Sequence, residues 1–375
     1  MIFLDNASTT KPDDNILTSF LEYSKEYFNP SANYTPSVNL SKKIDEIREE
    51  IVKLLNGNNL GTFLFTSSSS EANNIIINSV VTNNKNEEFI FSSLEHPSVY
   101  NIAINLLNLG RKVHFINTLN SGEIDEEHLY SLINNNTKLV SLIHVSNETG
   151  AINNVNKISE KVKELNPKTL VHVDGVQALG KINVDCSNLD FYTISSHKVY
   201  GIKGIAGFYV KNLNTLKPFI LGGGQEFNIR SGTTNAPMIF AFYNTIKNAI
   251  KDRETHFNHV KNINNYLTEK LKTLNNVVIN SNNNASPYIL SVSVLGLNAE
   301  TVLNALNLKE IYVGLGSACS SKKKGNRVLE SMGKSNDEIL GNIRLSFSKN
   351  TTKEEIDLFF NEFSEIISNL REKLK

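Results

Sequence analysis

The 375-residue chain reads as an α/β protein, with a large domain built on a mainly parallel sheet covered by helices and a smaller α+β domain beside it. Three observations predict this. Short apolar runs alternate with helical stretches over the first two thirds of the chain, the pattern of strands joined by crossover helices. Polar clusters follow those runs directly, as they do at the carboxyl edge of a parallel sheet, where ligands sit. After about residue 255 the texture changes to longer helices with fewer strands between them.

Ile44, Ile47, Ile51, Val52, Leu54 and Leu55 recur at helical spacing on a charged background, and Gly57 follows as a stop, so residues 44–55 form an amphipathic helix. The apolar runs TFLFT, EFIFSS, KVHFI, LVSLIHV, LVHVD, FYTISS and GIAGFYV then read as strands of a sheet buried on both faces. Beyond residue 255 come a long charged helix, an Asn-rich turn at 280–284, the strand YILSVSVLG, a helix from Glu300, a Gly-rich segment and a final helix from Lys353. The short amino-terminal segment is expected to join this part. The large domain is therefore placed at residues 16–255, and the small one at 1–15 with 256–375.

Thirty-eight basic and 38 acidic side chains leave no net charge, which excludes a polybasic nucleic-acid or membrane binder. Two cysteines, Cys186 and Cys319, are too few for a disulfide-stapled scaffold or a four-cysteine metal site, and no metal is expected. The start MIFLDNASTT has no basic segment ahead of an apolar one, and no run approaches the roughly 18 apolar residues of a membrane span. A reducing cytoplasm is the expected setting.

The chemistry centres on VHVDGVQALG and FYTISSHKVYG. Asp174 ends one apolar strand, Gln177 lies one turn further on, and Ser195, His197 and Lys198 end another strand. If the strands are parallel neighbours, Asp174 and Lys198 lie side by side at the sheet's edge. A lysine and a carboxylate held there suit pyridoxal phosphate (PLP): the amine condenses with the aldehyde, and the carboxylate keeps the ring nitrogen protonated. An ordinary structural ion pair accounts for the two residues equally well. The Ser-rich turn TFLFTSSSSEANN adds weight, because amides and hydroxyls of Ser68, Ser69 and Ser70 would converge at a helix amino terminus, a phosphate site. By itself such a run is more often only a helix cap.

With these segments on the page, the chain resembles the cysteine desulfurases of the NifS/IscS type, in the class V aminotransferase group of fold-type I PLP-dependent transferases. The resemblance rests on LDNASTT, NPSANY, FTSSSSEANN, LEHPSV, HVSNETG, HVDGVQALGK, SSHKVYGIKGIA, GGGQEFNIRSGTTN, GSACSS and NIRLSFS, in order over almost the whole chain.

The resemblance implies a role for each matching residue. Lys198 carries the cofactor, Asp174 pairs with its ring nitrogen and Gln177 contacts its phenolic oxygen. His96 stacks on the ring and can move protons. Ser69, Ser70, Ser195 and His197 hold the phosphate, and Thr233 reaches the phosphate of the neighbouring subunit of a homodimer. Asn147 lies near the cofactor and the substrate carboxylate, Arg344 binds that carboxylate, and Asn6 and Ala7 line the cleft. Cys319, followed by Lys322, Lys323 and Lys324, is the nucleophile that takes sulfur from L-cysteine, leaving alanine. Nearby positive charge would favour its thiolate. Cys186, which matches no part of the pattern, is expected to be structural. The implied partner is a sulfur acceptor, an iron–sulfur scaffold or a tRNA-thiolating enzyme.

Two features leave alternatives open. The group's phosphate turn commonly reads TSGATE, whereas this chain reads TSSSSE at 66–71, so Ser68 replaces a glycine that could adopt φ > 0. The lysine run after Cys319 is either a solvated face or a docking surface. Another class V enzyme, a small-amino-acid transaminase or a selenocysteine lyase, would need Lys198 but not Cys319. A non-catalytic sulfur-relay protein would need no cofactor.

Overall fold

The computed structural model describes residues 1–316 and 326–373. In chain order its elements are β1 (Ile2–Leu4), α1 (Asp14–Tyr23), α2 (Thr35–Leu54), β2 (Thr62–Thr66), α3 (Ser69–Val80), β3 (Glu88–Ser92), α4 (Pro97–Asn108), β4 (Lys112–Ile116) and α5 (Glu126–Leu132). Next follow β5 (Thr137–Ile143), α6 (Val155–Leu165), β6 (Leu170–Asp174), β7 (Phe191–Ser195), β8 (Ala206–Val210), α7 (Ala236–Lys251) and α8 (Arg253–Leu271). The last are β9 (Val277–Ile279), β10 (Ile289–Val294), α9 (Ala299–Asn307), β11 (Ile311–Leu315), α10 (Arg327–Ser331), α11 (Asn336–Leu340), β12 (Asn342–Ser346) and α12 (Lys353–Lys373).

A seven-stranded sheet has the order β2-β8-β7-β6-β5-β3-β4. It is parallel except for β8, which runs antiparallel to both β2 and β7. Each apolar run of the sequence becomes one strand, and β7 and β8 are buried at every position because helices cover both faces. Alternation within β2 shows how the faces divide. Phe63 and Phe65 point into the core with Ile44, Ile47, Ile51 and Val52 of α2, while Leu64 points the other way, among Ile75, Ile76 and Ile77 of α3. Three consecutive isoleucines can all be buried because α3 packs both on the sheet and against α4 beside it. Helix α2 begins at Thr35, well before the periodic stretch at 44–55, because Pro36 sits in its first turn with φ already set for a helix.

The second sheet has five strands in the order β1-β11-β12-β10-β9, with β1 parallel to β11 and the other pairs antiparallel. It has its own core, which Leu4 of β1, Val292 of β10 and Phe359 and Phe363 of α12 share. The amino-terminal strand thus pairs with the carboxyl-terminal part of the chain. The segment after β1 crosses back to the first sheet, and Thr10 N donates to the His197 carbonyl at 2.9 Å. No helix among the described residues is long and apolar enough to cross a membrane.

Candidate active site

β6 and β7 are adjacent and parallel, with Asp174 opposite Thr193, so their carboxyl ends emerge together. Asp174 is buried; its Oδ1 accepts from Val176 N at 3.1 Å and its Oδ2 from Asn73 Nδ2 at 3.1 Å. Past β7 the chain makes a single 3-10 turn, Ser196–Lys198, which presents Lys198 on the same edge. Its Nζ donates to the carbonyls of Ala7 (2.6 Å) and Ser8 (2.7 Å). Burial and the charge of Arg344 lower the Lys198 pKa to about 8, against the pull of Asp5 and Asp174. The turn is held under local strain: Tyr200 has φ 67°, unusual for a large side chain, and its N–H is fixed by Thr10 Oγ1 at 2.7 Å.

Gln177 joins the same group. Its Nε2 donates to Ala7 O at 2.8 Å, and its Oε1 accepts from Lys181 Nζ at 2.6 Å. Lys181 is buried with no acidic partner in the described hydrogen bonds, and its pKa falls to about 7 through burial and the charges of Lys198 and Arg344. The sequence reading did not single out Lys181; its i, i+4 spacing from Gln177 was the available signal.

Arg344 comes from the other sheet. It is buried in β12; its Nη2 donates to Asp5 Oδ1 (2.7 Å) and Ser8 Oγ (2.8 Å), and its Nη1 to Asn147 O (3.1 Å). Its Nε has no hydrogen-bond partner among the described residues. A side chain at Gly314 would not fit, since a Cβ there would lie 2.6 Å from Asp5 Oδ1 and 2.8 Å from Arg344 Nη2. Asn147 turns its side chain aside, donating Nδ2 to Glu148 Oε1 at 2.8 Å, and meets Arg344 through its carbonyl. Asp5 and Ser8 were missed in the sequence, although both lie in its first ten residues. Of the cleft-lining pair expected there, Ala7 offers its carbonyl, whereas Asn6 turns inward to the carbonyls of Phe3 and Ser346.

His96 follows β3 and caps α4. Its Nδ1 accepts from Ser98 N at 3.1 Å and lies 2.9 Å from Ser98 Oγ. The residue is exposed by surface area, yet protein groups crowd around its ring nitrogens. Burial is accordingly the largest influence and lowers its pKa; Asp174 opposes this, while Lys198, Arg344 and Arg327 add to it. These mutual influences place His96, Asp174, Lys198 and Arg344 within one electrostatic field. Beneath them Glu95 is fully buried; burial and the charge of Asp174 raise its pKa well above the carboxylate range.

The Ser-rich turn connects β2 to α3. Ser68 Oγ caps the helix by accepting from Glu71 N at 3.2 Å, and Ser67 donates from N and Oγ to Glu71 Oε2, both at 2.6 Å. Glu71 is paired in turn with Arg230 Nε at 2.7 Å. Ser69 is half-buried and Ser70 exposed in the first turn of the helix. The concern over Ser68 dissolves, because its φ of −158° and ψ of 159° are extended backbone that any residue adopts. Ser195 is buried at the end of β7. His197 Nδ1 lies 3.2 Å from Thr9 Oγ1; burial, then Lys198, Lys203 and Lys181, lower its pKa to about 4. Thr233 is exposed on a cleft of about 230 Å³ that it shares with Thr66, Ser67 and Arg230 of its own chain. Cys186 is fully buried in the large core. Cys319 and Lys322–Lys324 lie outside the described residues.

A lysine, a buried carboxylate and a helix amino terminus at the carboxyl edge of one mainly parallel sheet, faced by an arginine from a second sheet, define the architecture of the fold-type I enzymes. Within that class the chain belongs to the aminotransferase class-V family, whose model matches residues 2–359. It is 34% identical to the cysteine desulfurase IscS of Buchnera aphidicola subsp. Baizongia pistaciae, covering 99% of this chain and 93% of that one. It is 32% identical to the cysteine desulfurase IscS 1 of Archaeoglobus fulgidus, over 99% and 98%. A solved NifS-like protein superposes with a TM-score of 0.91 at 30% identity, covering 98% of this chain and 99% of that one.

Proposed function

We propose that this chain is a PLP-dependent cysteine desulfurase that converts L-cysteine to L-alanine and carries the sulfur away on Cys319 for delivery to an acceptor protein. The observation that carries the reading is the convergence of Lys198, Asp174 and Arg344 on one cleft in a chain similar over its full length to cysteine desulfurases.

The residues present fit the cofactor. Asp174 is already oriented by two donors, as an acceptor for a ring N–H must be. The start of α3 offers backbone amides and serine hydroxyls to a phosphate, and Ser195 and His197 lie by the lysine turn. Lys198 would attach it, Gln177 would donate to its phenolic oxygen, and Thr233 would reach the phosphate of a second copy in a homodimer. When bound, PLP supplies an electron sink for the bond-breaking at the substrate's α-carbon.

The protein's own groups do the rest. Arg344 is oriented by Asp5, Ser8 and the Asn147 carbonyl, and the substrate carboxylate would take the place of a partner at Nη2 to be held by two parallel N–H groups. The Lys198 amine is readily neutral because burial and Arg344 depress its pKa, so it can accept the α-proton. The Cys319 thiolate forms an S–S bond with the substrate sulfur as the C–S bond breaks; that electron pair goes to the carbon fragment, which takes up protons and leaves as alanine. A reductant or acceptor then returns Cys319 to a thiol, which suits a cytoplasmic setting. In this reading residues 16–255 carry the cofactor, and 1–15 with 256–375 carry Arg344 and Cys319.

The test is mass spectrometry of Cys319 after exposure of the PLP-loaded protein to L-cysteine. An added sulfur is expected, absent in Lys198→Ala, with alanine released in parallel. Turnover of wild-type size in Cys319→Ala would overturn the reading in favour of a transaminase or selenocysteine lyase.

A further inference from the structure

A hydrogen-bonded chain links Asp174 to His96 through two residues with no assigned role. Asn73 Nδ2 donates to Asp174 Oδ2 at 3.1 Å and to Ser98 Oγ at 3.0 Å, and Ser98 Oγ lies 2.9 Å from His96 Nδ1. The Asn73 bonds and the Ser98 backbone bond beside the chain fix the directions at its two ends. The Asn73 amide turns its NH2 towards the Asp174 carboxyl, where its own oxygen would meet a second acceptor. Its second hydrogen goes to the Ser98 oxygen, whose hydroxyl hydrogen is then free to be donated to His96 Nδ1. Ser98 N, 3.1 Å from the same Nδ1, is a backbone donor with no other choice.

We propose that Ser98 and Asn73 are positioning residues that hold His96 in the tautomer carrying its hydrogen on Nε2, so that His96 faces the reaction as a neutral hydrogen-bond donor and not as a proton acceptor. The inference rests on the desulfurase reading and narrows it: the base is Lys198 alone. A neutral imidazole has one bare nitrogen, and here that nitrogen is engaged by two donors. Protonating Nδ1 would set its N–H against the Ser98 N–H. The groups facing the ring act in the same sense on balance: burial and the cations Lys198, Arg344 and Arg327 resist a second proton, Asp174 favours it, and burial with the charge of Asp174 pushes the Glu95 carboxyl well above its usual range. Capping α4 alone does not require a histidine, since Asp or Ser would accept from Ser98 N as well. An imidazole at this cap ties the ring's tautomer to the start of the helix.

The experiment is two-bond 15N–1H correlation spectroscopy on the PLP-loaded protein labelled at histidine nitrogens, with His96→Gln assigning the His96 signals. A protonated Nε2 with a bare Nδ1 is expected. Ser98→Ala removes one of the two donors to Nδ1 and should move the tautomer ratio about fivefold towards Nδ1–H, as should Asn73→Leu, whereas Ser98→Thr keeps the hydroxyl and should restore it. A merely structural role would change thermal stability without moving this ratio. Turnover gives a second reading. Gln keeps an N–H donor but carries no proton, so His96→Gln should lose less than about 100-fold, whereas loss of a proton carrier costs about 10²–10⁴. A protonated Nδ1 in the wild type, or His96→Gln as inactive as His96→Ala, would overturn the proposal. Failure of the wild type to form alanine from L-cysteine would instead overturn the reading beneath it.

Discussion

Substituting Gly314 by Ala tests the link between the two sheets where it is tightest. β11 passes directly under the Arg344 guanidinium, and a Cβ at 314 would lie 2.8 Å from Arg344 Nη2, 2.9 Å from its Nε and 2.6 Å from Asp5 Oδ1. Ordinary contact begins near 3.4 Å, so Arg344 must retreat by roughly 0.6 Å and Asp5 by roughly 0.8 Å. Neither can do so freely, because Arg344 is buried and held by Ser8 and the Asn147 carbonyl as well as by Asp5. A misplacement approaching 1 Å costs up to about 100-fold in rate when it moves a substrate-positioning group. The expected result is therefore a fall of about 10- to 100-fold in kcat/KM for alanine formation, carried mainly by KM. Binding of PLP, read from visible absorbance, should remain, because Lys198, Asp174 and the start of α3 do not touch residue 314. A wild-type KM in a correctly folded Gly314→Ala protein would refute the assignment of Arg344 to the substrate carboxylate.

Two further predictions follow from charge. In the cofactor-free protein, acylation of Lys198 by an amine-directed reagent should rise with a midpoint near pH 8, below the range of ordinary lysines. Arg344→Gln should move that midpoint up, since the arginine's charge is the largest lowering influence after burial; a midpoint unaffected by the substitution would show that the two side chains do not share a field. Lys181 concerns stability. Its folded-state pKa drops from 10.5 to about 7, so the unfolded chain binds more protons between those values and stability rises with pH across that window. Below pH 7 the full penalty of the buried charge applies, at most roughly 5 kcal/mol. Lys181→Met removes it, so the variant's urea midpoint should exceed the wild type's most at pH 6, and the advantage should shrink above pH 7. An advantage independent of pH would show that Lys181 is not the titrating group.

How much of the site was legible depended on distance along the chain. Asp174 and Lys198 could be paired from the sequence because each follows an apolar run, and consecutive runs of that kind become neighbouring parallel strands. Gln177, one turn from Asp174, came with them. The phosphate turn was readable because a strand, a Ser cluster and an apolar helix lie in one stretch, although the worry about Ser68 assumed a backbone angle the chain does not use. Asn73 and Ser98 carry no such signal. They meet Asp174 and His96 only because α3 and α4 pack together against the sheet. Asn6 looked like a cleft residue beside Ala7, yet its side chain serves the backbone of β12.

The sequence by itself determined the strands, the covered parallel sheet, the family and the kinds of chemical group at the sheet's edge. These depend on local periodicity and on residues that directly follow a strand. Only the tertiary structure decided which groups bond to which. Arg344 meets Asp5 from 339 residues away, and both sit beside Lys198 because β1 pairs with β11 while the chain after it crosses back to the first sheet. Burial in that crossing, with the charges it brings together, lowers the Lys198 pKa; neither its packing nor its charged neighbours can be read from the residues around a lysine.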